Sequence, residues 1–519
     1  MPVSVPMKGA GAPVEHVEVR RGEYHDSVTL MLAGRAVAGV AGVERVLVAM
    51  ATELNVALLA ELGYPALESV GPGDLVVAFS CPADAAGSAE STESAALEAL
   101  TSALTSTLTA TSQPGGSITA PGYAYPDQPT PRTTATALGR TSAPITLIST
   151  PGLAAVAEAM ESLEYGASPI IFSDNIPIHH EVRLKEEARR RGLLVMGPDC
   201  GTVVLHGTGL AFANVSEPGP ISLVAASGTG AQELMALLDA AGTGIRHCLG
   251  VGGRDLTREV AGRSTLAALT ALADDPETEL IAVVSKPPHP AIAARIEAHA
   301  ATLGKPVHFA FVGADQPTLT DSAERILAAL GRRAPATWPR WAPAPEDEEN
   351  ARRAPGIRGL FSGGTLRAEA EVVLARAQTS SDSAFSFNLT DFGDDAYTRG
   401  RPHPMIDNTL RLRAIADAAA DAAVGVVLLD VVLGRGAHAD PAGEIAAAVA
   451  GLRGRRPEVA VVVSLCGTGG DPQGLERQAR VLAGAGAWVF LSNAEAAGAA
   501  ARLASGGLVG SSESVGSAG

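Results

Sequence analysis

The chain has 519 residues and a formal net charge of −17 at pH 7, so it offers no basic stripe to nucleic acid or to an anionic membrane surface. It is 46% hydrophobic but only 4% aromatic, which implies Ala/Val/Leu-packed cores, and its length calls for three or more domains. Four scattered cysteines (Cys81, Cys200, Cys248, Cys466) with no CxxC pair indicate neither a disulfide framework nor a metal site.

Residues 1–16 are expected to be disordered. Val17–Arg20 reads as a strand, Val28–Val40 as a helix, Val43–Ala49 as a strand, Asn55–Leu62 as a helix and Asp74–Phe79 as a third strand. Strands alternating with helices predict a parallel, doubly wound sheet. Leu97, Leu100 and Leu104 stand at helical spacing, and residues 113–141, dominated by Gly, Pro and Thr, read as a mobile insert. Ile145–Ile148 and Ser168–Phe172 read as strands, Pro151–Leu163 and Ile178–Arg191 as helices, Leu193–Met196 runs into Gly197–Thr202, and the first domain is placed at 17–215. A second domain, 216–331, has strands at Ile221–Ala225, His247–Val251, Ile281–Ser285 and Val307–Phe311. The Pro-rich stretch 332–355, with its acidic Glu346–Glu349 run, reads as a linker; a third domain follows at 356–503, and the Gly/Ser tail 504–519 is expected to be disordered. No apolar run reaches the ~18 residues of a membrane span and no signal peptide is evident, so the expectation is a cytoplasmic protein with no membrane contact.

Ile221–Glu233 is the most informative stretch. A short β-branched apolar run leads into Ser227-Gly228-Thr229-Gly230, and Leu234, Leu237 and Leu238 then form a helical face. Ser227 or Thr229 suits a helix cap, and the glycines let backbone amides approach a ligand, an arrangement that fits an anion. Gly359–Glu369, with Ser362-Gly363-Gly364-Thr365, repeats the design in the third domain. Two such helix starts read as one shared phosphate or acyl-phosphate site, or as two ordinary caps and tight turns. Lys286 stands out because the chain has four lysines (Lys8, Lys185, Lys286, Lys305) against 35 arginines.

Ile171–Pro177, Gly197–Gly201, Val224–Glu233 and Gly250–Asp255 follow, in order, the α subunit of succinyl-CoA synthetase, which they resemble. Gly359–Glu369, Leu389–Asp395 and Val426–Gly434 resemble the carboxy-terminal ligase domain of its β subunit. With Gly400–Asp407 and Gly436–Pro441, the fused arrangement resembles the FdrA family over roughly residues 17–500. The resemblance implies an α/β fold: a CoA-binding-type Rossmann domain followed by two flavodoxin-like ligase domains. It also implies a phosphoryl group cradled between the helix starts at Ser227–Thr229 and Ser362–Thr365.

Three departures from the synthetase bear on function. Tyr24-His25-Asp26-Ser27 replaces the glycine-rich CoA loop, which leaves CoA as a possible ligand without its usual seat. No histidine lies between His308 and His403, so the phosphohistidine segment is missing. Nothing resembles the ATP-grasp half, and Lys286 stands where the synthetase has a glutamate. The FdrA resemblance implies a multi-subunit oxamate carbamoyltransferase that converts oxalurate and phosphate to oxamate and carbamoyl phosphate. The alternatives are an ADP-forming acyl-CoA ligase subunit and a non-catalytic phosphate or nucleotide sensor. Partner subunits and a small-molecule substrate are expected in the first two cases.

Other candidates carry two readings each. His403, between two prolines and near Arg399, Arg401 and Asp407, reads as a substrate-orienting cluster or a rigid loop. His438, after a strand end, reads as a proton-transfer residue or a turn residue. Lys286 and Arg254 would balance phosphate charge, though Arg254 and Asp255 could simply pair with one another. Asp394 and Asp395 suit a metal or an amide nitrogen, or a solvated loop; His25, Asp26 and Ser27 read as the start of a different anion site or, as the favoured account, as a helix N-cap by Asp26 or Ser27. His179 and His180 are expected to face solvent, since adjacent helical positions do not face one another.

Overall fold

The computed structural model describes residues 14–23, 25, 27–67, 69–81, 88–110, 131–150, 152–344, 355–380, 385–398 and 401–506. The segments expected to be disordered or mobile lie largely outside that set, as do Tyr24, Asp26 and Arg399. The chain divides into two compact units, one of residues 1–129 with 393–407, the other of residues 130–392 with 408–519.

The first unit holds β1 (Val14–Arg20), α1 (Ser27–Ala38), β2 (Arg45–Met50), α2 (Glu53–Glu61), β3 (Leu75–Cys81) and α3 (Ser88–Ala110). Its sheet order is β1-β3-β2, and β3 pairs antiparallel with both neighbours. The expected parallel pairing of these three strands is therefore corrected here. Apolar runs announce that a strand exists and is buried but carry no information on partner direction, and an alternating β–α pattern is compatible with either pairing. Leu75, Val77 and Phe79 of β3 pack with α1 and α3 residues such as Leu30 and Leu100. Val76 and Ala78 pack with Leu58 and Leu59 of α2, so the period-2 alternation of this strand covers both faces of the sheet.

The second unit continues with α4 (Thr134–Thr141), β4 (Ile145–Ile148), α5 (Gly152–Glu164), β5 (Ser168–Ile171) and α6 (Ile178–Arg191). The strands β4 and β5 pair in parallel, and past α6 Met196 bridges in parallel to Ile170. Next come β6 (Thr202–Leu205) and β7 (Thr208–Ala211), a hairpin absent from the sequence reading. Its two-residue loop, His206-Gly207, has φ of 48° and 74°, the left-handed pair a tight hairpin needs.

The first ligase-type half comprises β8 (Ile221–Ala225), α7 (Gly228–Ala240), β9 (Ile245–Gly250), α8 (Arg263–Asp274), β10 (Leu280–Ser285), α9 (Pro290–Ala300), β11 (Val307–Phe311) and α10 (Leu319–Ala329). The second begins with β12 (Arg340–Trp341), β13 (Gly356–Phe361), α11 (Gly364–Ser380) and β14 (Ser386–Asp391). After α12 (Asp395–Thr398), which belongs to the first unit, it resumes with α13 (Thr409–Ala418), β15 (Val424–Val432), α14 (Pro441–Arg455), β16 (Ala460–Cys466), α15 (Leu475–Gly484), β17 (Ala487–Phe490) and α16 (Asn493–Ala504).

The two sheets run β11-β10-β8-β9-β6-β7 and β12-β17-β16-β15-β13-β14. Apart from the edge strand β12, which pairs antiparallel with β17, the strands within each half are parallel, and β8, β10, β15 and β16 are buried along their whole length, as strands covered on both faces must be. Counting from β8 and from β13, the orders are 2-1-3-4 and 2-1-3-4-5, the flavodoxin-like winding expected for these domains. Such sheets bind ligands outside the carboxyl ends of the strands, where the winding reverses. In both halves that point lies beside the glycine turn.

Candidate functional site

Ser227 ends β8 in an extended conformation, with φ −149° and ψ 118°, and caps α7 by accepting a hydrogen bond from Gly230 N at 3.0 Å. Ala231 N closes the first helical turn on Ser227 O. Among the described residues, no protein acceptor takes the amides of Gly228 and Thr229, which therefore point outward with the positive end of the helix dipole behind them.

The second turn is built differently. Ser362 N and Oγ donate to Asp430 Oδ1 at 2.7 and 2.9 Å, and Gly363 N donates to Asp430 Oδ2 at 2.8 Å. Asp430 is 0% exposed, and Arg411 Nη2, also buried, stands 3.1 Å from its Oδ1. The chain thus supplies its own carboxylate to the amides of this turn, held by short charge-assisted bonds. Gly364 N and Thr365 N, the first two amides of α11, have no protein acceptor among the described residues.

The two turns touch. Ser227 Oγ and Thr365 Oγ1 are hydrogen-bonded at 2.5 Å. A Cβ on Gly363 would lie 2.8 Å from Thr229 Oγ1, and one on Gly230 would lie 3.0 Å from Thr365 Cγ2 and 3.1 Å from Val284 Cγ1. These glycines are required by close approach of side chains from the opposite half. A Cβ on Gly364 would collide with Asp391 Oδ2 and come within 2.6 Å of Lys286 Nζ. Lys286, exposed just past the end of β10, therefore stands over the second helix start together with Asp391.

The remaining candidates are placed as follows. His438 Nδ1 accepts from Asp440 N at 3.0 Å, which puts the imidazole proton on Nε2, 3.2 Å from Glu444 Oε1. Asn408 Nδ2 donates to the other oxygen of Glu444 at 3.1 Å, so His438 is a tethered, 8% exposed side chain. Arg254 donates to Ile176 O at 2.8 Å and pairs with Glu181 at 2.9 Å. Asp255 pairs with Lys185 Nζ at 2.8 Å, which corrects the reading in which Arg254 and Asp255 pair with one another. Arg401, His403 and Asp407 belong to the first unit, where the His403 carbonyl accepts from Ile406 N and Asp407 N at 2.8 and 3.1 Å and its Nδ1 accepts from Met405 N at 3.2 Å. Asp394 Oδ1 accepts from Ala396 N at 2.9 Å, opening α12. His25 Nε2 lies 3.0 Å from Glu23 Oε1. His179 is exposed and His180 half-buried, as expected of solvent-facing residues, although their ring centroids lie 4.1 Å apart.

Sequence reasoning passed over Asp430, Asp391 and Arg411. Asp430 had a signal, since it is the one charge inside the apolar run Val424–Val432, and a charge there needs a partner.

Residues 360–503 match the CoA-ligase family, and residues 8–118 match a family described as AllF, heavy metal-associated domain. With the two glycine turns, the first match defines the class: a succinyl-CoA-ligase-like protein of the acyl-CoA synthetase superfamily. The chain is 32% identical over 510 residues to the uncharacterized protein YahF of Escherichia coli (strain K12), covering 91% of this chain and 95% of that one. It belongs to the YahF, FdrA-like family. It is also 31% identical over 167 residues to the α subunit of succinate–CoA ligase (ADP-forming) from Methanothermobacter thermautotrophicus, 31% of this chain and 54% of that subunit. The chain therefore spans only about half the length of this ligase relative. A solved dinucleotide-forming acetyl-coenzyme A synthetase 1 from Ca. Korarchaeum cryptofilum, in complex with phosphate and ADP, aligns over 70% of this chain and 82% of its own at 14% identity and a TM-score of 0.26.

The heavy-metal description does not fit the residues present. Cys81 is the one cysteine between residues 8 and 118, it is buried, and burial raises its thiol above the ordinary value, whereas a soft metal needs accessible thiolates. Among the described residues there is no group of three or more His, Cys, Asp or Glu that could hold a metal ion. No helix among them is long and apolar enough to cross a membrane.

Proposed function

We propose that the chain is an acyl-CoA-ligase-type subunit that takes inorganic phosphate or an acyl phosphate as substrate, bound at the junction of the two helix starts. The observation that carries this reading is the contact of Ser227 with Thr365, which brings the open amides of Gly228, Thr229, Gly364 and Thr365 into one neighbourhood beside Lys286. Several amides aimed at one point, with little reorganisation on binding, suit a phosphoryl group. The absence of a histidine between His308 and His403 argues that the phosphoryl group is not relayed from ATP through phosphohistidine.

The reaction would be phosphorolysis: phosphate attacks an acyl carbon, the acyl phosphate forms and the former acyl carrier leaves with a proton. With a thioester the products are acyl phosphate and CoA thiol. With oxalurate they are carbamoyl phosphate and oxamate, the second reading, which the FdrA resemblance implies. His438 would serve in proton transfer and Arg254 in orienting the substrate; partner subunits and a cytoplasmic setting belong to the same proposal. The test incubates the purified chain, with and without an ATP-grasp partner, with phosphate and either succinyl-CoA or oxalurate. Phosphate-dependent CoA release supports the first reading and carbamoyl phosphate the second. Labelled ATP that gives acid-labile phosphohistidine on this chain would overturn both.

A further inference from the structure

Behind the two turns lies a second feature shared by the halves. Glu233 stands five residues after Gly228 on α7, and Glu369 five residues after Gly364 on α11, about 7.5 Å deeper along each helix. Their exposures are 0% and 1%. Asn493, the first residue of α16, ties them together: its N donates to Glu233 Oε1 and its Nδ2 to Glu369 Oε2, both at 2.8 Å. Leu319 N, the first amide of α10, donates to Glu369 Oε1 at 2.5 Å. The last helix of each half thus presents its opening amide to the glutamate of the other half, a pseudo-two-fold exchange closed by the 2.7 Å contact between Thr320 Oγ1 and Ser492 Oγ.

The donors do not suffice for two carboxylates. Glu233 Oε2 is buried with no hydrogen-bond partner. The ionisable groups nearby do little to neutralise the pair: Asp430 on β15 and Asp321 on α10 add negative charge, the neutral Cys466 thiol at the end of β16 gives Glu233 only a weak hydrogen bond, and Arg376 on α11 is the cation acting on Glu369. Burial, together with the Glu369 charge in the case of Glu233, raises Glu233 to about 8 and Glu369 to about 7.

We propose that Glu233 and Glu369 hold a proton between the two ligase-type halves, and that this proton keeps the paired helix starts in contact. Once both carboxyls are ionised, two unscreened charges repel across a buried interface with an acceptor left over. The folded state binds more protons than the unfolded chain here. Stability from the pair is therefore fully present below the unfolded glutamate value of about 4.3 and is lost as pH rises through the raised folded values.

The test uses the full chain and its Glu233→Gln, Glu369→Gln and double-Gln variants, with thermal unfolding followed from about pH 6 to about pH 9. The native chain should lose about 4 °C or more of Tm relative to the double variant across that range, with each single variant between them. Infrared spectra of the native chain at neutral pH should show a buried protonated carboxyl band that shrinks on alkalinisation and is absent from the double variant. A glutamine that merely fills space would not create this difference in pH slope. Parallel Tm–pH curves for native and variant chains would overturn the proposal. Should the variants fail to fold, the native infrared band decides alone, and its absence at neutral pH would equally overturn it.

Discussion

The two glycine turns share a winding, a position and a contact, yet they treat negative charge in opposite ways. Beneath the first, β10 offers Val284, whose methyl packs against the Gly230 position, and the Gly228 and Thr229 amides stay open. Beneath the second, β15 offers Asp430, which takes the Ser362 and Gly363 amides. The first turn leaves its leading amides to an external anion, whereas the second gives Ser362 and Gly363 to an internal one fixed by Arg411 and leaves Gly364 and Thr365 open. The lesson is that a glycine-rich helix start announces a place for negative charge but leaves open whether the chain itself fills it.

The largest test of this asymmetry is Asp430→Asn. It leaves the Arg411 guanidinium buried without its charge, and loss of one member of a buried pair costs about 3–5 kcal/mol, measurable by denaturant unfolding. A loss below about 1 kcal/mol would mean that Asp430 is not the second turn's anion. Next is Gly230→Val, which drives a side chain into Thr365 and Val284 and should cost about 1–3 kcal/mol. The first turn would thereby lose its contact with the second.

Smaller still is Ser227→Ala, which removes both the cap on Gly230 and the bond to Thr365, for about 1–2 kcal/mol. If only the cap matters, Thr365→Val will be silent; if the contact matters, both variants lose stability in the same assay. Smallest is Lys286→Ala. The side chain is exposed, so phosphate affinity should fall by about threefold at low salt, and the difference should fade as ionic strength rises.

Much of this comparison was legible in the chain. The run Ile221–Ala225 and the cap Ser227 were readable because a buried parallel strand and an N-cap each have a local chemical signature, and the same holds for β13 and α11. Strand direction was not legible: β1, β2 and β3 carry the apolar runs of a parallel sheet but pair antiparallel, because direction is settled by tertiary packing rather than by residue type. The hairpin at His206-Gly207 was missed although its loop has a readable glycine. Asp430, Glu233 and Glu369 were present in the quoted motifs, but their roles depend on partners far away in sequence: Arg411, Asn493 and Leu319. Burial of a charge becomes visible only when those partners are assembled.

Gly228→Pro is the most direct measurement. Proline at the first helical position keeps the helix while deleting one amide, and Ser227, at φ −149° and ψ 118°, already has the extended backbone a following proline requires. In calorimetric titrations with inorganic phosphate, the native chain should bind, and the variant should bind at least about tenfold more weakly, a loss of about 1.4 kcal/mol, while staying folded although its new Cβ meets Thr202 Oγ1 at 3.0 Å. Equal affinity in the two proteins, or no phosphate binding by the native chain, would contradict an open anion seat at the first turn.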